Sequence, residues 1–169
     1  MTRYVAFLRA VNVGGTGKLP MAELRTMCEA VGFTNVRTYI ASGNVVFDSK
    51  LAEASVKSRL ERCLEEYAGK PVGVAVRTSE ELAQVLTANP FKSAAPNRTV
   101  AIFLDTPAPA DALTHASGQR EEEMALGTRE IYVHYNNGMA DTKLKIPAAR
   151  TGTARNMNTV GKLVDMANE

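Results

Sequence analysis

Thr99-Val100-Ala101-Ile102-Phe103-Leu104 decides how this chain folds, because it restates past the middle of the sequence the run that opens it, Tyr4-Val5-Ala6-Phe7-Leu8-Arg9. Each is a short, continuous apolar stretch bounded by polar or charged residues, and such a stretch reads as a buried strand more readily than as a helix. The two line up with Val5-Ala6 on Val100-Ala101, at the same place in the order of elements.

Working outward, the first half supplies strand, helix, strand, strand, helix, strand. Pro20 suits a first helical turn, where its missing N–H costs nothing. Met21, Leu24, Met27, Cys28 and Val31 recur at helical spacing, and Gly32-Phe33 has the form of a C-terminal stop. Residues 36–40 and 44–47 read as strands around Ser42-Gly43. Val56, Leu60, Cys63, Leu64 and Tyr67 then mark one face of a long amphipathic helix that Gly69 ends. Residues 72–76 make a fourth strand. Thr78 and Glu81 have capping-box spacing before a helix over 80–86, stopped by Asn89-Pro90.

A polar passage over 92–98 reads as a hinge. Beyond it come the strand at Thr99, a short helix over 111–115, a hairpin of 121–126 with 130–135 through Gly127-Thr128, and helical segments at 141–145 and 153–168. The first order largely recurs. The expected fold class is therefore α+β, a duplication giving two similar split β-α-β (ferredoxin-like) subdomains packed side by side, over residues 1–90 and 91–169.

With 169 residues, 45% of them hydrophobic, the chain can bury a continuous core. Cys28 and Cys63 fall on apolar helix positions and read as structural thiols. No apolar run approaches the ~20 residues of a membrane helix, and the N-terminus lacks a signal-peptide pattern, so a cytoplasmic protein without a membrane partner is expected. Charge is placed rather than spread. Residues 3–21 and 143–164 hold eight Lys and Arg and no acid, whereas the whole chain carries +2, so the remainder sums to −6. That placement points to an anionic ligand.

Gly14-Gly15-Thr16-Gly17-Lys18 invites a phosphate-loop reading, but the positions that need Gly and Ser or Thr hold Asn12 and Leu19. A dinucleotide fingerprint fails as well, because Pro20 stands where its third glycine belongs. What remains is an acid-free loop able to hold an anion at a helix start, or plain loop geometry. In the second stretch Thr153 is expected to cap a helix, which puts Arg155 and Asn156 in its first turn against the dipole. An anion there, whether a ligand or a carboxylate of the fold, would compensate.

Ser42-Gly43-Asn44-Val45-Val46-Phe47 lacks the basic residue and two ring positions of an RNA-recognition strand, so a standard module of that kind is disfavoured and Phe47, Tyr4 and Phe7 are assigned to the core. His115 and His134 lie far apart without zinc spacing, so no metal and no cofactor is expected. No catalytic set is complete.

Leu8-Arg9-Ala10-Val11-Asn12-Val13-Gly14-Gly15, Pro20-Met21-Ala22-Glu23-Leu24-Arg25, Tyr39-Ile40-Ala41-Ser42-Gly43-Asn44-Val45-Val46-Phe47 and Thr153-Ala154-Arg155-Asn156 through Thr159-Val160 together resemble a bacterial family, domain of unknown function 1697. The resemblance spans nearly the whole chain. It implies two similar α+β subdomains side by side and carries over no activity, cofactor or catalytic residue. Met157 departs from the family pattern, in which an aromatic is common between the two asparagines.

The leading expectation is a module that binds a phosphate-bearing partner, nucleic acid or a phosphorylated small molecule, through Arg9, Asn12, Lys18, Asn44, Arg150, Arg155, Asn156 and Thr159. The alternatives are an enzyme acting on a small anionic metabolite in a groove between subdomains, and a protein-interaction module whose polar motifs are purely structural.

Overall fold

The computed structural model describes residues 1–10, 18–136 and 138–169. The opening apolar run forms β1 (Thr2–Leu8), followed by α1 (Met21–Ala30), β2 (Thr34–Tyr39), β3 (Asn44–Ser49), α2 (Glu53–Ala68), β4 (Val74–Thr78) and α3 (Ser79–Thr87). The second series is β5 (Thr99–Phe103), β6 (Glu123–Leu126), β7 (Glu130–His134), β8 (Thr153–Asn156) and α4 (Met157–Ala167). Two compact units result, Met1–Leu82 with Leu163–Glu169, and Ala83–Lys162. Among the described residues no helix is long and apolar enough to cross a membrane.

Each unit holds a four-stranded antiparallel sheet, and the orders match: β2-β3-β1-β4 in the first and β6-β7-β5-β8 in the second. The fold is α+β with two similar subdomains. In the first, alternate residues Tyr4, Ala6 and Leu8 of β1 join Leu24, Cys28, Leu60 and Leu64 of the helices in one core. Each fully buried Leu there contributes roughly 1.5–3 kcal/mol. Phe33 follows the α1 stop and stacks on Phe47 at 4.3 Å, with its N–H donating to the Cys28 carbonyl. In the second unit Val100, Ile102, Leu104, Ile131 and Val133 make the matching core. Here single 3-10 turns, Ala112–His115 and Pro147–Ala149, stand where the first unit has α1 and α2.

The internal match is atomic. Leu8 N–H donates to the Gly43 carbonyl at 2.8 Å, as Leu104 does to Arg129 at 2.9 Å. Arg77 lies opposite Val5, and Arg155 opposite Ala101. Each arginine Nη1 donates to the carbonyl of the preceding residue at 2.9 Å. Thr78 and Asn156, one residue on, both cap the following helix: Thr78 Oγ1 accepts from the Glu81 N–H at 3.1 Å, and Asn156 Oδ1 from the Thr159 N–H at 2.9 Å. All four coincidences set Tyr4 on Val100. The letter match of Val5-Ala6 with Val100-Ala101 is thus one residue out, a slip that would turn every side chain to the wrong face.

Two expected helices are corrected. Residues 141–145 carry no helix; instead Lys145 bridges Ser117. Residues 153–156 are β8, and α4 starts at Met157, because Thr153 and Arg155 point into the protein while Ala154 is exposed, the alternation of a strand.

The capping box is formed as read. The Thr78 N–H also donates to Glu81 Oε1 at 2.9 Å, completing the reciprocal pair. Gly69 closes α2 in the left-handed region at φ 74°.

Candidate functional site

β1 delivers Arg9 to the end of its sheet. The Arg9 N–H donates to the Gly73 carbonyl at 2.9 Å, which pins the backbone to the start of β4. Ala10, at φ 54°, turns the chain away in a conformation that non-glycine residues seldom adopt. The stem of Arg9 runs over Gly73, where an added Cβ would stand 3.7 Å from Arg9 Cβ and Cδ.

Two other segments of the first unit reach the same place. Lys18 leads into α1 through buried Leu19, and Lys70 occupies the turn between α2 and β4. With Leu64, Tyr67 and Val72 they line a groove of about 520 Å³. Three cations from three chain segments face it, and its described lining contains no carboxylate. Tyr67 contributes an aromatic ring that is 47% exposed. Helical spacing alone puts Tyr67 on the buried face of α2 and does not single out Lys70. The only sequence signal for the latter is the Gly69-Lys70-Pro71 turn.

The remaining expected residues sit elsewhere. Asn12, with the glycine-rich run up to Gly17, lies outside the described residues. Asn44 is buried and its Nδ2 donates to the Tyr39 carbonyl at 2.9 Å and to Ser42 Oγ at 3.0 Å, so it holds the β2–β3 turn. Arg150 lines a different groove, within the second unit.

Arg155 precedes the helix rather than occupying its first turn, so the clash with the dipole does not arise. It is buried, and loss of solvation pulls its pKa down to about 10. Asn156 is the cap. Thr159 receives that cap through its backbone N–H and is itself buried. Met157 is buried as well, which makes that position part of the interior.

Both sheets also close their second face. Val5, Phe7 and Val46 in the first unit, and Ala101, Phe103 and Tyr132 in the second, are all buried. RNA-recognition modules stack bases on that face of the sheet, so this route to RNA is shut here. In the first unit the end of α4 takes part in the cover. Arg3 Nη1 donates to the Ala167 carbonyl at 3.1 Å and to the Glu169 carbonyl at 2.9 Å, while Arg37 donates to the Met166 carbonyl and pairs with the Glu169 side chain. Arginines on carbonyls at a helix C-terminus satisfy its orphan acceptors and complement its dipole.

Cys28, Cys63 and His134 line neither the groove of Arg9 nor that of Arg150. Burial pushes the Cys28 thiol up to about 12 and raises Cys63 in the same direction, so both are poor nucleophiles. His134 shares a hydrogen bond with Thr99 Oγ1 at 3.1 Å. Among the described residues no group of three His, Cys, Asp or Glu gathers as metal ligands.

The sequence profile of a family described as protein of unknown function (DUF1697) matches residues 1–132, most of the chain. The chain belongs to the DUF1697 family. This DUF1697 protein is also similar in structure to a conserved bacterial protein from Streptococcus pneumoniae, at 28% identity and a TM-score of 0.80, with 98% of each chain covered. Coverage so complete means that both units, not one, are common to the pair. No curated protein matches the DUF1697 chain.

Proposed function

We propose that this DUF1697 protein binds a phosphate-bearing ligand in the first unit's groove, with Arg9, Lys18 and Lys70 as its anion-holding groups. The observation that carries the reading is the convergence of three cations on a lining without acid. Like charges repel across so small a space, and an anion offsets that repulsion. The Arg9 guanidinium can fork onto two phosphate oxygens, while the lysines act as point charges.

The size suits a nucleotide-scale molecule, since ligand pockets run from about 300 to 1,000 Å³. Leu64, Val72 and the exposed Tyr67 ring offer apolar surface for the uncharged part of such a ligand. A nucleic acid would be held here through its phosphates. Its affinity would then fall steeply with salt.

Calorimetric titration of the whole protein with inorganic phosphate, a nucleoside triphosphate and a single-stranded oligonucleotide tests this. Saturable binding is expected, with Arg9→Gln and Lys70→Gln each weakening it about tenfold, on the order of 1.4 kcal/mol. For an oligonucleotide, each variant should also reduce the salt slope by about one contact. Wild-type protein that binds none of the three anions, or variants that bind them as well as wild type, would refute the proposal.

A further inference from the structure

The second unit carries a groove of a different character. Where the first unit covers its core with α1 and α2, the second has only the two 3-10 turns, and a groove of about 670 Å³ opens beside the second of them, lined by Pro147 and Ala149. Ile102, Leu144, Ile146 and Ala149 give it an apolar floor, and Lys145 and Arg150 stand on exposed positions of its wall. No acid lines it among the described residues. Glu122, the carboxylate that acts on nearby Tyr135, is outside the lining and accepts hydrogen bonds from Thr142 Oγ1 at 2.6 Å and the Arg120 N–H at 2.7 Å.

Both cations ride on fixed backbone. Lys145 exchanges two hydrogen bonds with Ser117, at 2.9 and 2.8 Å. That approach needs Gly118, whose φ is +72° and where a Cβ would fall 2.0 Å from the Lys143 carbonyl oxygen. Arg150 N–H donates to Pro147 at 3.2 Å, and the next turn closes through Gly152 on Ala149 at 2.9 Å. Gly152 sits directly on the floor, since a Cβ there would meet Ile102 Cγ2 at 2.5 Å. A fixed backbone roots both cations beside an apolar floor, which suits a ligand that has both a charge and a greasy part.

We infer that this groove is a second binding site, selective for a small carboxylate with an apolar tail, whose head meets Lys145 and Arg150 while the tail lies on Ile102, Leu144 and Ile146. Two cations beside a mostly apolar lining match one carboxylate. The three-cation groove of the first unit matches a more highly charged phosphate. The inference does not rest on the function proposed above, because the two grooves share no residue.

Octanoate is the probe, titrated into the full chain and followed by methyl NMR, with octan-1-ol and octylammonium as controls of equal tail. Octanoate should saturate the Ile102, Leu144 and Ile146 methyl shifts and bind at least tenfold more tightly than octan-1-ol, with octylammonium weaker still. The double variant Lys145→Gln, Arg150→Gln should erase the preference for octanoate over the alcohol, and Ala149→Phe should fill the groove and abolish binding of both. Arg9→Gln should leave octanoate affinity unchanged, which separates this site from the first. Equal affinity for acid and alcohol in wild-type protein, shifts centred on other residues, or no saturable shift would overturn the inference; thermal melts of the variants verify that each is folded.

Discussion

Arg3 grips Asp48 through two hydrogen bonds, at 2.7 and 3.1 Å, and Asn35 donates a third at 2.8 Å. These donors, Arg3 foremost, hold the Asp48 carboxyl below its ordinary range. In the unfolded chain an aspartate titrates near about 3.9. The stabilisation from Asp48 is therefore fully present above that value and is lost as pH falls through the lower folded value. Glu122, held down first by the Thr142 hydroxyl and then by the Arg120 N–H, works in the same direction. The urea midpoint should accordingly drop below about pH 4. Asp48→Asn should start less stable at neutral pH and show a shallower acid decline; parallel acid declines for the two proteins would contradict this account. Residues of this kind are hard to read from sequence. Arg3 lay inside an acid-free stretch and counted toward ligand charge, yet its partner is an acid 45 positions away.

At the scale of elements, the two helix caps show what sequence patterns resolve. Thr78 with Glu81 has a recognised spacing, and the structure fills it. Asn156 caps α4 equally well, but Thr153 stands three residues earlier with a side chain of the same capping class, and nothing local decides between them. Pairing of Thr153 with Phe103 across β8 and β5 makes the decision, and that contact is remote in sequence. Segment 141–145 is likewise set by a remote contact, the bridge of Lys145 to Ser117. Thr78→Ala and Asn156→Ala should each cost about 1 kcal/mol in denaturant unfolding. Thr153→Ala should not behave as a lost cap, and its signature is reduced packing in β8. Helical content that falls after Thr153→Ala but not after Asn156→Ala would reverse the assignment. For the candidate site, Arg9 and Lys18 were legible because charge without nearby acid is visible in the letters. Lys70 and Tyr67 were not, because their relevance comes from the end of α2 and the turn after it sharing one lining with Arg9 and Lys18.

Across the molecule, the order of elements was readable because apolar periodicity and turn residues are local signals. Duplication was readable from that order too. The register of the duplication was not, since it depends on which side of each sheet a residue faces. The consequence is concrete for anyone exchanging segments between the halves. Transplanting the opening strand by letters requires Thr99→Tyr, Ile102→Phe, Phe103→Leu and Leu104→Arg, and the last drives a charge into a site that is 6% exposed. Shifting the same donor by one position requires Val100→Tyr, Ala101→Val, Ile102→Ala and Asp105→Arg, and the one change of charge then falls on an exposed residue. The shifted chimera should retain a cooperative melt while the letter-matched one does not; comparable melts from both would show the halves to be aligned otherwise. Kinship between the two halves is thus a matter of orientation before it is one of spelling, and a recombinant chain survives or collapses according to which of the two its maker respects.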